Sequence, residues 1–333
     1  MVQAISIENF RCFHHSIFEG FGRINLIGGK NNSGKTSLLE AILLSNVPGA
    51  RSISFLQSLR GENTALFSEN PEYAWTNLFY NQEKNQKIKF SSRYGNGSIE
   101  VEIFCEEREK STLFNQKPLF RDPSENVLIP GIDSAVLAEV GASSLKIKAN
   151  VGNQKFTGYI EYIYKNRREL RGGERFVPLK EAILVPAGYK RSSAALGKDF
   201  ERIKLLGKGA SILKAFKIVD DSIENVDVIN LGEPKIIITR QGFAPQPLNY
   251  FGDALNKIAD IVLRIENSPQ CILLIDEIEN GIHHTNQEEF WRMLIKLASE
   301  NDVQIFCTSH SGEMINAFKR ATSASNGQNI ARY

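Results

Sequence analysis

Three short stretches of the sequence carry side chains whose types and spacing suit chemistry on a polyphosphate. The first, Gly29-Lys30-Asn31-Asn32-Ser33-Gly34-Lys35-Thr36-Ser37, fits the phosphate-loop pattern G-x-x-x-x-G-K-[ST]. Gly29 and Gly34 let the backbone wrap closely, so that successive N–H groups from Asn31 to Ser37 can point at phosphate oxygens. Lys35 supplies a mobile charge for the β- and γ-phosphates, and the Thr36 hydroxyl suits Mg²⁺. The second stretch is Asp276-Glu277, in which Asp276 can hold the water shell of the same Mg²⁺ while Glu277 polarises an attacking water. The third, Thr308-Ser309-His310, places a histidine where it can hydrogen-bond a γ-phosphate and report its presence. ATP and Mg²⁺ are the cofactors this set calls for.

Each stretch needs an element to aim it. Val2, Ala4, Ile5 and Ile7 alternate as in a strand. INLIG, residues 24–28, is a second short apolar run that ends at the glycine-bearing loop, and Leu38, Leu39, Ile42 and Leu43 recur behind it at helical spacing. Strand, loop and helix therefore follow in the order a phosphate site needs, with the positive end of the helix dipole at the loop. CILLI before Asp276 and VQIFC before Thr308 read as buried strands, whose carboxyl ends face the nucleotide in a parallel sheet of this kind. A helix between them carries Phe290, Trp291, Leu294, Ile295, Leu297 and Ala298 on one side. Paired acids at a strand end, or a histidine after a strand, are commonly structural. The upstream loop is what favours the functional reading.

The 333 residues suffice for one large domain or two. No window approaches the run of about 18 apolar residues that spans a bilayer, and MVQAISIENFRCF lacks the basic and apolar regions of a secretory signal. A cytoplasmic location and no membrane partner are expected. Cys12, Cys105, Cys271 and Cys307 show no metal-ligand or CxxC spacing, and the last two read as small buried hydrophobes. The net charge of +2 hides an asymmetry: residues 146–214 hold 16 Lys or Arg against six Asp or Glu. Such a stretch is either a solvated basic face or a surface for DNA or an acidic protein.

Residues 51–215 separate the two chemistry-bearing ends. KIKFSSRYGNGSIEVEIF reads as a β-hairpin turning at Gly95-Asn96-Gly97, and SLKIKANVGNQKFTGYIEYIY as another turning at Gly152-Asn153. RDPSENVLIPGID and RGGERFVP are loop-like. No sustained heptads suggest a coiled-coil arm. Tyr159, Tyr162 and Tyr164 precede Lys165, Arg167 and Arg168; aromatics beside cations can stack on nucleic acid or pack one hairpin face, and both readings stay open. NIARY near the end reads as a short strand.

Phosphate loop, apolar run with Asp-Glu, then apolar run with Thr-Ser-His is an order that resembles ATP-binding-cassette ATPases. ISIENFRCF and INLIGGKNNSGKTSLLEAI resemble the non-transporter branch, the RecF, SMC and OLD-type proteins; PLNYFGDALNKI, LLIDEIENGIH and VQIFCTSHS resemble its small OLD-like members. The implied fold is α/β: an ABC-type P-loop ATPase head, residues 1–50 and 216–333, with a β-hairpin-rich, partly helical insertion over 51–215. The resemblance places Arg11, of the Asn9-Phe10-Arg11 turn, near the nucleotide. It also implies two heads meeting face to face, each nucleotide completed by the other copy's signature loop. Asn249, Gly252 and Asp253 stand at that loop here, before a helix carrying Leu255, Ile258, Ala259, Ile261 and Val262. The usual serine is absent, and Ala254 stands where a second small glycine is usual. Gly281 and His283 would cross the dimer interface, and His283 and His284 read as interface residues, not metal ligands.

The family commonly adds a metal-dependent nuclease domain, for which about 20 residues after His310 leave no room. The expectation is therefore an ATP-hydrolysing switch that oligomerises through its heads and controls a separately encoded effector, a nuclease or toxin, in antiphage defence. The alternatives are a RecF-like DNA-repair ATPase gripping DNA through residues 146–214, and a non-cycling nucleotide sensor. A transport ATPase fits less well, since its coupling domain is usually helical.

Overall fold

The computed structural model describes residues 1–62, 67, 73–106, 142–163, 166–173, 178–230, 232–324 and 331–332. The chain is α/β and packs as two units, one formed by Met1–Ala4, Phe18–Asn46 and Leu179–Tyr333, the other by Ile5–Ile17 and Val47–Pro178.

In the first unit the apolar runs become a parallel sheet. It contains β3 (Ile24–Gly28), β9 (Ala182–Val185), β13 (Ile272–Ile275), β14 (Gln304–Ser309) and β15 (Ala331–Arg332), in the order β15-β3-β14-β13-β9. Every pairing is parallel, with Leu274 opposite Phe306 and Cys307 opposite Leu26. Parallel strands are covered on both faces, which is why CILLI and VQIFC are apolar without alternation. All of Ile272–Ile275 and Gln304–Ser309 are buried. The short strand expected near the C-terminus is β15, beside β3.

Helix α1 (Lys35–Asn46) follows the loop after β3. Helices α3 (Ser193–Leu205), α4 (Ala210–Lys217) and α5 (Asp253–Asn267) pack around a three-stranded antiparallel sheet of β10 (Ile223–Asn230), β11 (Pro234–Arg240) and β12 (Gln246–Pro247). Ser192 caps α3, its hydroxyl accepting from the Ala195 N–H at 3.2 Å. Helix α6 (Gln287–Glu300) buries the expected face, Phe290, Trp291, Leu294, Ile295, Leu297 and Ala298. Its Trp291 packs edge-on against Phe318 of α7 (Gly312–Ala324) and donates to the Met314 carbonyl at 3.2 Å. The N-terminus is tied in by Gln304, whose side chain accepts from the Val2 N–H at 2.7 Å and donates to the Val2 and Gly22 carbonyls at 2.8 Å each.

The second unit is built on a seven-stranded sheet, β2-β1-β4-β5-β6-β7-β8, with helix α2 (Ala50–Leu59). Its strands are β1 (Val2–Phe10), β2 (Phe13–Glu19), β4 (Ile88–Tyr94), β5 (Gly97–Glu106), β6 (Ala142–Val151), β7 (Gln154–Ile163) and β8 (Asn166–Gly173). Both expected hairpins form: β4 pairs antiparallel with β5 across Gly95-Asn96, and β6 with β7 across Gly152-Asn153. Gly152 takes φ +57°, which a two-residue hairpin turn demands. Ile88, Phe90, Ser92 and Tyr94 face inward while the residues between them are exposed.

The packing differs from the sequence division in two places. Ile5–Ile17, placed by sequence in the head, belong to the second unit, because β1 and β2 join β4 in the seven-stranded sheet. Residues 179–215, placed by sequence in the insertion, belong to the first unit, because β9 pairs with β13 and α3 packs on β11 and α5. Local composition gave no sign of this, since the pairing joins residues about 90 apart. RDPSENVLIPGID, Tyr164, Lys165 and Arg175 lie outside the described residues.

Candidate functional site

The site lies in the first unit, at the carboxyl ends of β3, β13 and β14, with α5 alongside. After β3 the chain turns through Lys30–Ser33, with Asn31, Asn32 and Ser33 exposed, and enters α1 at Lys35. Asn32 and Gly34 take φ of +60° and +89°, the left-handed conformation that folds such a loop on itself. The Lys35 ammonium donates to the Gly29 and Lys30 carbonyls at 2.8 Å each, so the side chain spans the loop it belongs to. The first N–H groups of α1 have no partner within the helix and face the loop with the dipole's positive end.

Thr36 and Asp276, far apart in sequence, meet here. The Thr36 hydroxyl lies 3.1 and 3.0 Å from the two Asp276 carboxylate oxygens. The Thr308 hydroxyl donates to Asp276 Oδ1 at 2.6 Å and accepts from the Glu277 N–H at 2.8 Å. A hydroxyl and a carboxylate side by side are hard oxygen donors, which fits Mg²⁺ held through few protein ligands. Thr36 and Asp276 are the residues that would hold it.

Glu277 sits at φ +47°, a conformation costly for a non-glycine residue. Its backbone is held on both sides: the N–H by Thr308 and the carbonyl by the Lys257 ammonium of α5. Its Oε2 accepts from Asn280 Nδ2 at 2.7 Å, which orients the carboxylate. Burial lowers the Lys257 pKa to about 8, against the opposing pull of Glu279, Glu277 and Asp276. His310 follows β14; its backbone N–H and its ring Nδ1 both lie on Glu279 Oε1, at 2.8 and 3.0 Å.

The candidate signature loop is in the same unit. Asn249, Gly252 and Asp253 are exposed, and Asp253 opens α5 with its carboxylate 2.6 Å from Lys190. Asn256 donates to the carbonyls of Leu248, Phe251 and Gly252, fixing the turn. Gly281, at φ +83°, lies so close to α5 that an added Cβ would be 3.0 Å from the Ala254 nitrogen. A cavity of about 420 Å³ lies between this helix start and the 186–191 loop, lined among others by Tyr189, Lys190, Arg191, Lys257 and Gly281. His283 and His284 lie with ring centroids 4.2 Å apart.

Arg11 belongs to the second unit, at φ +53°, with Nη1 donating to the Asn77 carbonyl at 2.8 Å. The basic stretch is divided between the units, and many of its cations are internally paired. Lys146 meets Glu106, Arg191 meets Asp199 and Asp260, Lys204 meets Asp227, and Lys208 meets Glu266. Tyr159 lies under the Lys146 ammonium, 4.9 Å from ring centroid to nitrogen, on the hairpin face. Sequence reasoning missed Lys257, Glu279, Asn280 and the bridging part of Thr308. A lysine at mid-helix and a glutamate two residues past an Asp-Glu pair carry no local signal.

A glycine loop closing a parallel strand, with its threonine on the acid at the end of the next strand but one in the same sheet, defines a P-loop nucleotide-hydrolysing protein. Residues 1–171 and 210–315 match the family described as AAA ATPase domain, and the chain belongs to that family and is an ATPase. A Helicobacter pylori (strain ATCC 700392 / 26695) protein named ATP/GTP phosphatase is 25% identical over 337 residues, covering 95% of this chain and 86% of the relative. An uncharacterized Methanocaldococcus jannaschii protein is 30% identical over 183 residues, 51% of this chain and 80% of its own. Among solved structures, the SMC head domain from Thermotoga maritima has a TM-score of 0.40 at 12% identity, covering 95% of this chain and 91% of that one. An SmcHead bound to the C-winged helix domain of ScpA has 0.47 at 10% identity, with the same coverage. No helix among the described residues is long and apolar enough to cross a membrane.

Proposed function

We propose that this ATPase is a molecular switch of the OLD-like, RecF-like kind, whose heads pair face to face around ATP and whose cycle controls a separately encoded effector. The observation that carries the reading is the Thr36–Asp276–Thr308–Glu277 constellation, which joins the loop to both strand ends within hydrogen-bond distance. In this reading Asn31 to Ser37 cradle the phosphates and Lys35 neutralises them. Thr36 and Asp276 would hold Mg²⁺, which would supply charge compensation at the phosphates. Glu277, aimed by Asn280, takes a proton from the attacking water, and His310 donates to the γ-phosphate. Asn249, Gly252 and Asp253 of a second copy close the site.

Antiphage defence as the setting, and a nuclease or toxin as the effector, follow from the resemblance of PLNYFGDALNKI, LLIDEIENGIH and VQIFCTSHS to the OLD-like class. The relative's name also brings GTP into consideration as a second substrate. Direct DNA binding is the weaker reading, because Lys146, Arg191, Lys204 and Lys208 are engaged by carboxylates of the chain itself.

The test compares wild type with Glu277→Gln for turnover of ATP and GTP and for mass in solution with and without nucleotide. Turnover should fall by at least about 100-fold on loss of a general base, and the variant should accumulate as an ATP-stabilised larger species. Unchanged turnover would overturn the assignment of Glu277; an ATP-independent mass would overturn the paired-head switch.

A further inference from the structure

Glu279 lies two residues past the Asp276-Glu277 pair and has been given no role so far, yet its surroundings are unusual. Its side chain is 9% exposed. One oxygen, Oε1, is used twice by His310, from the backbone N–H at 2.8 Å and from ring Nδ1 at 3.0 Å. The other, Oε2, is buried with no hydrogen-bond partner among the described residues. A buried carboxylate left half satisfied is a costly way to tie down a loop, and such groups call for a reason beyond packing. The turn after β14 does not need it: Ser311 accepts from the Met314 N–H at 3.2 Å and Ser309 accepts from the Ser311 N–H at 3.1 Å, so α7 is already capped.

The ring geometry supplies a reason. The His310 side chain is 46% exposed, and its Nδ1 edge faces the buried carboxylate. With Nδ1–H donating to Glu279, a neutral imidazole would carry a bare lone pair at Nε2 and could only accept there. A phosphate oxygen offers no proton to accept. Nε2 can donate to it only if the ring bears both protons, and an anionic carboxylate on Nδ1 is the counter-charge for that form. The charged group shown to act on Glu279 is the Lys257 ammonium of α5, which is drawn to Glu279, Glu277 and Asp276 alike.

We propose that Glu279 is a positioning residue for ATP hydrolysis: it fixes the His310 ring with Nδ1 inward, so that Nε2 is the edge left for the terminal phosphate and the carboxylate is the counter-charge of the donating ring. The proposal rests on the reading of His310 given above and assigns the residue that makes that reading work. Glu279→Gln retains an oxygen to accept both bonds but removes the charge.

The experiment is a double-mutant cycle on ATP turnover with His310→Ala, Glu279→Gln and the pair, with Glu279→Asp as the conservative variant. Glu279→Gln should lower kcat by about 10-fold or more, in the range of supporting-residue losses, with KM changed by much less. The pair should be no worse than His310→Ala alone, and Glu279→Asp should recover part of the loss. ATP binding to each variant, measured by nucleotide fluorescence, confirms that the site is folded. If His310→Ala turns over at the wild-type rate, the histidine reading falls and the proposal with it. If His310→Ala is impaired but Glu279→Gln is not, or the two losses multiply, the proposal alone is overturned.

Discussion

At the scale of single residues, the candidate site is a set of side chains and backbone groups held in place by their neighbours. Thr308 holds Asp276 and Glu277 together, Asn280 aims Glu277, and Lys257 fixes the Glu277 carbonyl. Lys257 has a further thermodynamic signature. Its pKa falls from the ordinary lysine value of 10.5 to about 8 on folding, chiefly through burial. Between those values the unfolded chain binds more protons than the native one, so this group makes stability rise with pH across that window. Lys257→Met removes the effect. The variant's stability relative to wild type should be greatest below pH about 8 and decline toward pH about 10.5, read from denaturant midpoints across that range. A constant difference across the window would contradict the burial argument. The two buried cysteines follow the same physics: burial pushes the Cys271 thiol up to about 12 and the Cys307 thiol higher still.

At the scale of elements, close backbone approaches decide how α3 and α5 are placed. Gly197 of α3 is the tightest case, since an added Cβ would lie 2.3 Å from the Pro234 carbonyl oxygen at the start of β11. No flexible side chain can yield there. Gly197→Ala should therefore destabilise by about 1–3 kcal/mol or more, the range for overpacking, despite the better helix propensity of alanine. A melting temperature at or above wild type would show that α3 can shift away from β11. The hairpins and the two-residue turns were legible in sequence, because alternation and Gly-Asn signals are local. The membership of β9 and α3 was not, because it depends on which strand β9 pairs with.

At the scale of the molecule, the first unit is assembled from both ends of the chain. Gln304 is the side chain that joins them, engaging Val2 through both N–H and carbonyl and reaching Gly22 as well. It is fully buried. Gln304→Met keeps the bulk and strands these backbone groups, each at about 1–3 kcal/mol. The expected loss shows as a lower denaturant midpoint and faster amide exchange at Val2 and Gly22. Unchanged exchange at Val2 would mean that water replaces the side chain without loss.

The sequence by itself determined the phosphate loop, the acid pair, the histidine and the strands and helices that carry them. Each is written in a short window: a glycine spacing, an apolar run, a period of two or of about 3.6 residues. Only the tertiary structure decided which of these windows meet. Thr36 reaches Asp276 across 240 positions, Glu279 grips His310 across 31, and β9 joins β13. Those contacts are set by sheet order and by burial, which bring together groups that have no periodic or local relation in the chain. For that reason the residues expected to touch nucleotide could be named from sequence, while those that hold them, Thr308, Asn280, Lys257 and Glu279, emerged only once the strand ends were side by side.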